Sequence, residues 1–233
     1  FASPILVSEQ VNPDPNFPTT PFPNPEESGS MDMALNYAKT NNADVVIAND
    51  PDADRCAIAV VNPQGLWQVL RGDEVGILLG DYLINKSSTL NTSIANSLVS
   101  SSLLGKIANK HGLKFEETLT GFKWISKIDN LLFGYEEALG YCVDQKNVND
   151  KDGISAALIL VQIVNELKAN GQSIFDYLEK LGSEYGFHRT DQISIRVTNL
   201  NEIDELLKKV TTTPPQTLLN NALKSYENLS ESK

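Results

Sequence analysis

The chain predicts an α/β layered architecture, and three observations carry that prediction. Short stretches of strand length recur at 45–48, 57–61, 94–99 and 115–119, the first two of them wholly apolar. Stretches with helical periodicity separate most of them. Turn signals rich in Gly, Pro, Asn and Asp punctuate the joins. Strands that alternate with helices bury their apolar faces as helix layers on a sheet.

In chain order, residues 5–9 suggest a short strand. Residues 12–27 hold six of the 11 prolines, which disfavours helix and favours a stiff extended loop. A helix is expected over 30–39, with Met31, Ala34, Leu35 and Ala38 on one face. A strand, an acidic turn and a second strand follow. Asn62-Pro63-Gln64-Gly65 is a turn signal, and a strand resumes over 67–70; a domain boundary is expected at this turn. Residues 72–83 read as a helix, with Asp73 and Glu74 suited to its first turn. Next come a strand at 94–99, a helix at 101–110 ended by Gly112, a strand at 115–119 and a short helix at 122–128. Leu131-Leu132-Phe133 leads into Gly134-Tyr135-Glu136-Glu137. Lys151-Asp152-Gly153 opens a helix to about residue 169 that is apolar nearly all round, so it is expected to be buried on more than one side. Residues 173–181 form another helix. Ile193-Ser194-Ile195-Arg196-Val197 alternates like a half-exposed strand, and the polar remainder reads as the start of another unit.

The chain has 233 residues, 41% hydrophobic and 21% charged, the makeup of an ordinary globular protein of one large or two small domains. A net charge of −11 and a pI near 4.6 argue against nucleic-acid or anionic-membrane partners, which need a basic face. No apolar run approaches a membrane span, and no secretory leader is visible. Cys56 and Cys142 lie in apolar stretches and are expected as buried free thiols. A cytoplasmic protein is the expectation. The chain opens Phe1-Ala2-Ser3 without a Met, and is expected to be a piece of something longer.

The richest chemistry lies in Asp50-Pro51-Asp52-Ala53-Asp54-Arg55, between two apolar strands. Alternate residues of an extended segment point the same way, so Asp50, Asp52 and Asp54 can converge on one point. Three anionic oxygens there need a positive occupant, and a small hard cation such as Mg²⁺ suits them. A phosphate oxygen could fill a remaining position, with Arg55 helping to hold the phosphate. An EF-hand is excluded, because Arg55 and Val61 stand where that loop needs Gly and an acid. A solvated turn remains the bland alternative. Spacing alone also leaves open a phosphatase with Asp50 as nucleophile.

Glu136 and Glu137 follow an apolar strand. They are either a solvated edge or acceptors for sugar hydroxyls, since an ionised Glu only accepts. Thr120-Gly121-Phe122-Lys123-Trp124 is a glycine turn opening a short helix. It suits an anion, or it is a surface Lys beside a packed Trp. No P-loop or Gly-x-Gly-x-x-Gly is present, and His111 and His188 show no metal or triad spacing.

Together these segments resemble the α-D-phosphohexomutase superfamily, in particular its phosphoglucomutase/phosphomannomutase members of the Gly-Tyr-Glu-Glu-Ala type. The resemblance rests on Phe17-Pro18-Thr19-Thr20-Pro21-Phe22-Pro23-Asn24-Pro25-Glu26-Glu27, on the acidic loop Asn49 to Arg55, on Leu119-Thr120-Gly121-Phe122-Lys123-Trp124-Ile125 and on Gly134-Tyr135-Glu136-Glu137-Ala138-Leu139-Gly140-Tyr141. Lys151-Asp152-Gly153-Ile154 and Tyr185-Gly186-Phe187-His188 also fit. The resemblance implies layered mixed-sheet domains of phosphohexomutase type: most of a second domain at 1–64, a complete third at 65–188, and the start of an α+β fourth at 189–233.

It further implies that Asp50, Asp52 and Asp54 bind Mg²⁺, and that Arg55 and Lys123 lie near the transferring phosphoryl group. Thr120, Gly121, Lys123, Glu136 and Glu137 would contact a phosphosugar, with Glu136 on its 3- and 4-hydroxyls. The implied reaction interconverts hexose 1-phosphate and 6-phosphate, of glucose or mannose, through a phosphoserine and a sugar bisphosphate. Ala138 replaces the Ser of many relatives, which admits a pentose phosphate. No Ser-His-Asn-Pro phosphoserine loop occurs, nor the phosphate loop of the last family domain. The expectation is therefore an internal fragment, inactive alone, or a module that binds Mg²⁺ and phosphosugar without chemistry.

Overall fold

The structure is a computed structural model that describes residues 4–88, 91–191, 197–218, 220–226 and 228. Two compact units divide after Thr190. The first is a mixed α/β assembly, as the alternation of patterns predicts.

Its first sheet is antiparallel, in the order β1 (Val46–Asn49), β2 (Cys56–Val61), β3 (Trp67–Val69). β1 and β2 pair from Val46↔Ala59 to Asn49↔Cys56, so the acidic segment is the turn of a hairpin. Asn62 to Gly65 turns a second hairpin, with Val61 opposite Trp67. The turn at which the sequence suggested a domain boundary therefore lies inside one sheet, which runs on to Val69. Helix α1 (Asp32–Asn41) precedes β1 and ends on Asn42 in the left-handed region, φ 52°. Residues 5–9 form no strand. The backbone turns at Ser8–Gln10, where Gln10 N donates to Val7 O at 2.9 Å, and among the described residues β1 pairs with β2 alone.

The second sheet has the order β5-β4-β6-β7. Helix α2 (Gly72–Lys86) leads to β4 (Ser93–Ser97), then α3 (Leu103–Lys110), β5 (Lys114–Thr118), the short α4 (Phe122–Ile125), β6 (Leu131–Glu136) and β7 (Gly140–Cys142). β4 runs parallel to β5 and β6, while β7 returns antiparallel to β6. Helices α5 (Gly153–Ala169) and α6 (Ile174–Tyr185) complete the unit. Both start on side-chain caps: Asp152 accepts from Ile154 N and Ser155 N, and Ser173 and Asp176 form a capping box.

The core joins both sheets. Cys56, Ala57, Ile58 and Ala59 of β2 are fully buried, as are Leu78, Leu79, Phe133, Tyr135 and Tyr141. The three rings form a ladder, with centroids 5.9 Å apart for Phe133–Tyr135 and 6.4 Å for Tyr135–Tyr141. Tyr135 Oη donates to the buried Asp73 carboxylate at 2.6 Å, which also accepts from Ser101 N at 2.7 Å. Asp73 stands in the first turn of α2 as expected and is also a buried tie. Both thiols are free and buried as expected; burial pushes Cys56 up to about 12 and Cys142 up to about 11.

The second unit contains α7 (Asn201–Thr212) and the small hairpin β8 (Thr217–Leu218) and β9 (Asn221–Ala222). α7 lies in the stretch expected as a polar remainder; its Ile203, Leu206, Leu207 and Val210 have helical spacing. Of the strand expected at 193–197, residues 193–196 lie outside the described residues. No helix among the described residues is long and apolar enough to cross a membrane.

Gly76 of α2 lies against Tyr135 so closely that a Cβ would meet Tyr135 Cδ2 at 2.4 Å. Gly76→Ala is expected to destabilise by about 1–3 kcal/mol through overpacking. A chemical-denaturation midpoint equal to wild type would show that the ring can yield.

Candidate functional site

The hairpin geometry places all three aspartates in one turn. Ala53 takes a positive φ of 57° and donates to Asp50 O at 3.0 Å, which tightens the turn. One carboxylate oxygen from each of Asp50, Asp52 and Asp54 falls within 4.8 Å of the others. Ligands around one Mg²⁺, at about 2.0–2.1 Å each, stand roughly 3–4 Å apart. The donor set is therefore of the right chemistry and nearly the right span for a hard dication completed by other oxygens.

Two cations brace this turn. Arg55 N donates to Asp50 Oδ1 at 3.0 Å and Arg55 Nε to Asp50 Oδ2 at 2.6 Å, so both oxygens of Asp50 are held. Arg55 Nη1 reaches Asn24 Oδ1 at 3.2 Å and Glu26 Oε2 at 3.6 Å, which anchors the proline-rich segment to the loop. Lys151 forms an ion pair with Asp54. Asp52 stays exposed. Burial pushes the Asp50 carboxyl up, but the Arg55 hydrogen bonds and charge outweigh it and hold the group below the ordinary aspartate range. At Asp54 the balance is reversed. Burial comes first and, with the Asp50 and Asp52 charges, pushes it up against the pull of Lys151.

The Glu136–Gly140 turn is stitched to the same loop. Cys56 N donates to Leu139 O at 3.1 Å, and Arg55 bridges Gly140 in antiparallel fashion. Gly153 N donates to Ala53 O at 3.0 Å, and a Cβ on Gly153 would lie 2.3 Å from Arg55 O. Only glycine lets the start of α5 approach this closely. Glu136 Oε1 accepts from Gly121 N at 2.6 Å, which draws the Thr120–Gly121 turn to the same place. Burial, then the neighbouring Glu137, pushes the Glu136 carboxyl up against that bond.

The sequence-derived candidates thus divide. Asp50, Asp52, Asp54 and Arg55 share one turn, and Gly121 and Glu136 are hydrogen-bonded beside it. Glu137 instead accepts from Ser97 Oγ at 2.8 Å and Ser100 Oγ at 2.9 Å, so its carboxylate pins the loop after β4. Thr120 is exposed, and the Lys123 ammonium rests 5.5 Å from the Trp124 ring centre. Sequence reasoning counted the segments of Lys151, Asn24 and Glu26 in the resemblance but gave these residues no role. Lys151 was within reach, because it directly precedes the Asp-Gly pair that opens α5.

Two family models match the chain: phosphoglucomutase/phosphomannomutase alpha/beta/alpha domain II over residues 2–64, and alpha/beta/alpha domain III over residues 71–185. The chain belongs to the phosphoglucomutase/phosphomannomutase family. This family chain is 50% identical over 212 residues to a Haemophilus influenzae protein named "Probable phosphomannomutase", covering 91% of itself and 44% of that protein. It is 42% identical to human phosphopentomutase, covering 80% of itself and 33% of the relative. Against human glucose 1,6-bisphosphate synthase it is 40% identical, covering 81% and 33%. It therefore spans less than half the length of these curated relatives. Among solved structures it is similar in fold to a Burkholderia thailandensis phosphoglucomutase/phosphomannomutase family protein, with TM-score 0.62 at 16% identity over 91% of this chain and 42% of that one. A Paramecium phosphoglucomutase in its open form gives TM-score 0.57 at 21% identity, over 90% and 38%.

Asp52→Asn tests the metal reading of this phosphoglucomutase/phosphomannomutase-family turn. Outer-shell partners alone are worth about 10- to 100-fold in metal affinity, so loss of a ligand is expected to weaken Mg²⁺ at least as much. Isothermal calorimetry showing equal Mg²⁺ binding by both proteins would refute the assignment.

Proposed function

We propose that the full-length protein is an intramolecular phosphotransferase that interconverts sugar 1-phosphate and 6-phosphate, of glucose or mannose, by way of a phosphoserine outside this chain and a sugar bisphosphate. One observation carries this reading: the backbone bonds Cys56 N to Leu139 O and Arg55 to Gly140 fasten the three-aspartate turn to the Glu136 turn. A phosphate-handling group and a hydroxyl-accepting group thereby face one substrate. The same reading assigns residues 1–64 to a second domain, where the match to the domain II family model also ends, although β3 continues its sheet to Val69. Residues to 188 then form a third domain, and 189–233 begin a fourth.

In this reading Asp50, Asp52 and Asp54 hold Mg²⁺, which supplies positive charge to the transferring phosphoryl group. Arg55, fixed in place by Asp50, Asn24 and Glu26, offers its guanidinium to the same group without first having to be ordered. Glu136 keeps one oxygen on Gly121 N and turns the other to vicinal sugar hydroxyls. Lys123 adds positive charge from the exposed side.

A phosphatase with Asp50 as nucleophile is disfavoured, because both Asp50 oxygens are already bonded by Arg55. A pentose phosphate is the second reading. Ala138 offers no hydroxyl to a sixth sugar carbon, so the turn makes few demands on sugar size, while Glu137 Oε2 is held by Ser97 and Ser100.

The protein extended to the length of its relatives should convert glucose 1-phosphate, mannose 1-phosphate or ribose 1-phosphate to the terminal phosphate. Steady phosphate release from a generic phosphoester instead would favour the phosphatase. Glu136→Gln is expected to lower kcat/KM by about 100-fold, a typical loss for a positioned group. Its thermal midpoint without substrate should match or exceed wild type, since the mutation removes a carboxylate that burial and Glu137 disfavour. A lower midpoint with unchanged kcat/KM would mark Glu136 as structural only.

A further inference from the structure

We propose that Lys151 is an exchangeable internal counter-ion: its ammonium holds Asp54 in the metal-free protein and yields that carboxylate to an incoming divalent cation. In doing so it carries the metal's arrival to the Glu136 turn. The proposal rests on the metal reading of Asp50, Asp52 and Asp54.

The argument begins with charge. Three carboxylates share one turn, and two side-chain cations lie among them, Arg55 on Asp50 and Lys151 on Asp54. A divalent ion entering this set meets two positive groups already seated on two of its three ligands. Arg55 cannot readily leave. Its planar fork is fixed by Asp50 Oδ2, by Asn24 and by Glu26, while its own backbone N–H holds Asp50 Oδ1. Lys151 is different. It presents a point charge on a flexible stem, and beyond Asp54 its nearest acid is Asp150, at the 4.0 Å limit of an ion pair and exposed. Coulomb repulsion from the cation therefore falls on the group that can move.

The stem's route is set by Gly140. The Lys151 Cδ lies 3.0 Å from where a Cβ on Gly140 would be, so the chain runs across the bare backbone of the Glu136–Gly140 turn. An ammonium released from Asp54 stays tethered over that turn, beside Glu136, whose charge it already favours. Metal occupancy at one end of the site thus changes the charge facing the hydroxyl-binding carboxylate at the other. Lys151 acts here as a positioning residue, through Asp54 and Glu136.

Mg²⁺ titration of wild type, Lys151→Met, Lys151→Arg and Asp52→Asn by calorimetry separates the possibilities. Lys151→Met is expected to bind Mg²⁺ about tenfold tighter at low salt, the scale set by removing a unit charge a few ångströms from a dication in water. Its metal-free thermal midpoint should fall and its Mg²⁺-induced rise should exceed that of wild type. Lys151→Arg keeps the charge and adds a fork that can hold Asp54, so it should bind Mg²⁺ no tighter than wild type. In wild-type protein the Lys151 ε-carbon NMR signal should shift as Mg²⁺ is added, a readout that needs no variant to fold. If Lys151→Met binds Mg²⁺ no tighter than wild type while Asp52→Asn binds it more weakly, the exchange is overturned and the metal site stands. An unmoved ε-carbon signal overturns the exchange as well. If Asp52→Asn binds as wild type does, both the site and the exchange fall.

Discussion

Like-charge repulsion inside a six-residue turn is the constraint on which the rest of the site depends. Asp50, Asp52 and Asp54 converge because the β1–β2 hairpin is short and Ala53 adopts a positive φ. Such a cluster would open toward water unless cations and backbone bonds closed it. Arg55 supplies one restraint and passes it to the proline-rich segment through Asn24 and Glu26. Lys151 and Gly153 supply another, from the start of α5. Segments far apart in sequence are thereby drawn to one charge problem.

Backbone then does what charge alone could not. Salt bridges at partly exposed positions are weak restraints. The bonds Gly153 N to Ala53 O and Cys56 N to Leu139 O sit beside the ion pairs and fix the relative placement of the two turns. The buried Asp73–Tyr135–Ser101 tie secures the other side of the Glu136 turn, because Tyr135 lies in the strand that leads into it. Rigid scaffold and charged loop are coupled at Tyr135 and Glu136, adjacent residues that face opposite demands.

Most of the described elements were legible in the sequence, because their apolar periodicity is local. The acidic turn was legible for the same reason: alternate Asp residues between two apolar runs leave few geometries. Residues 5–9 misled, because an apolar run says nothing about whether a strand lies beside it to pair with. The Asn62–Gly65 turn was legible as a turn but not as a hairpin, because a turn between strands reads the same within one sheet or between two. The partners of the site were illegible where they depend on distant contacts. Nothing in the pair Glu136-Glu137 tells which carboxylate accepts from Ser97 and Ser100 and which accepts from Gly121. Lys151 looks like any residue before a helix cap until Asp54 is placed against it.

The Glu136–Gly140 turn has little freedom left to vary. Glu136 is bound to Gly121, Glu137 to two serines, Leu139 is buried at a positive φ of 65° and accepts from Cys56, and Gly140 lies under Lys151. A Cβ on Gly72 would sit 1.7 Å from Glu137 O, so α2 also presses on the turn's backbone. Ala138 alone in this turn has a half-exposed side chain without such a duty among the described contacts. On the proposed phosphosugar reading, divergence of sugar preference within this turn would be funnelled through one small residue. A lineage or an engineer seeking a new substrate would find that position permissive and its neighbours closed.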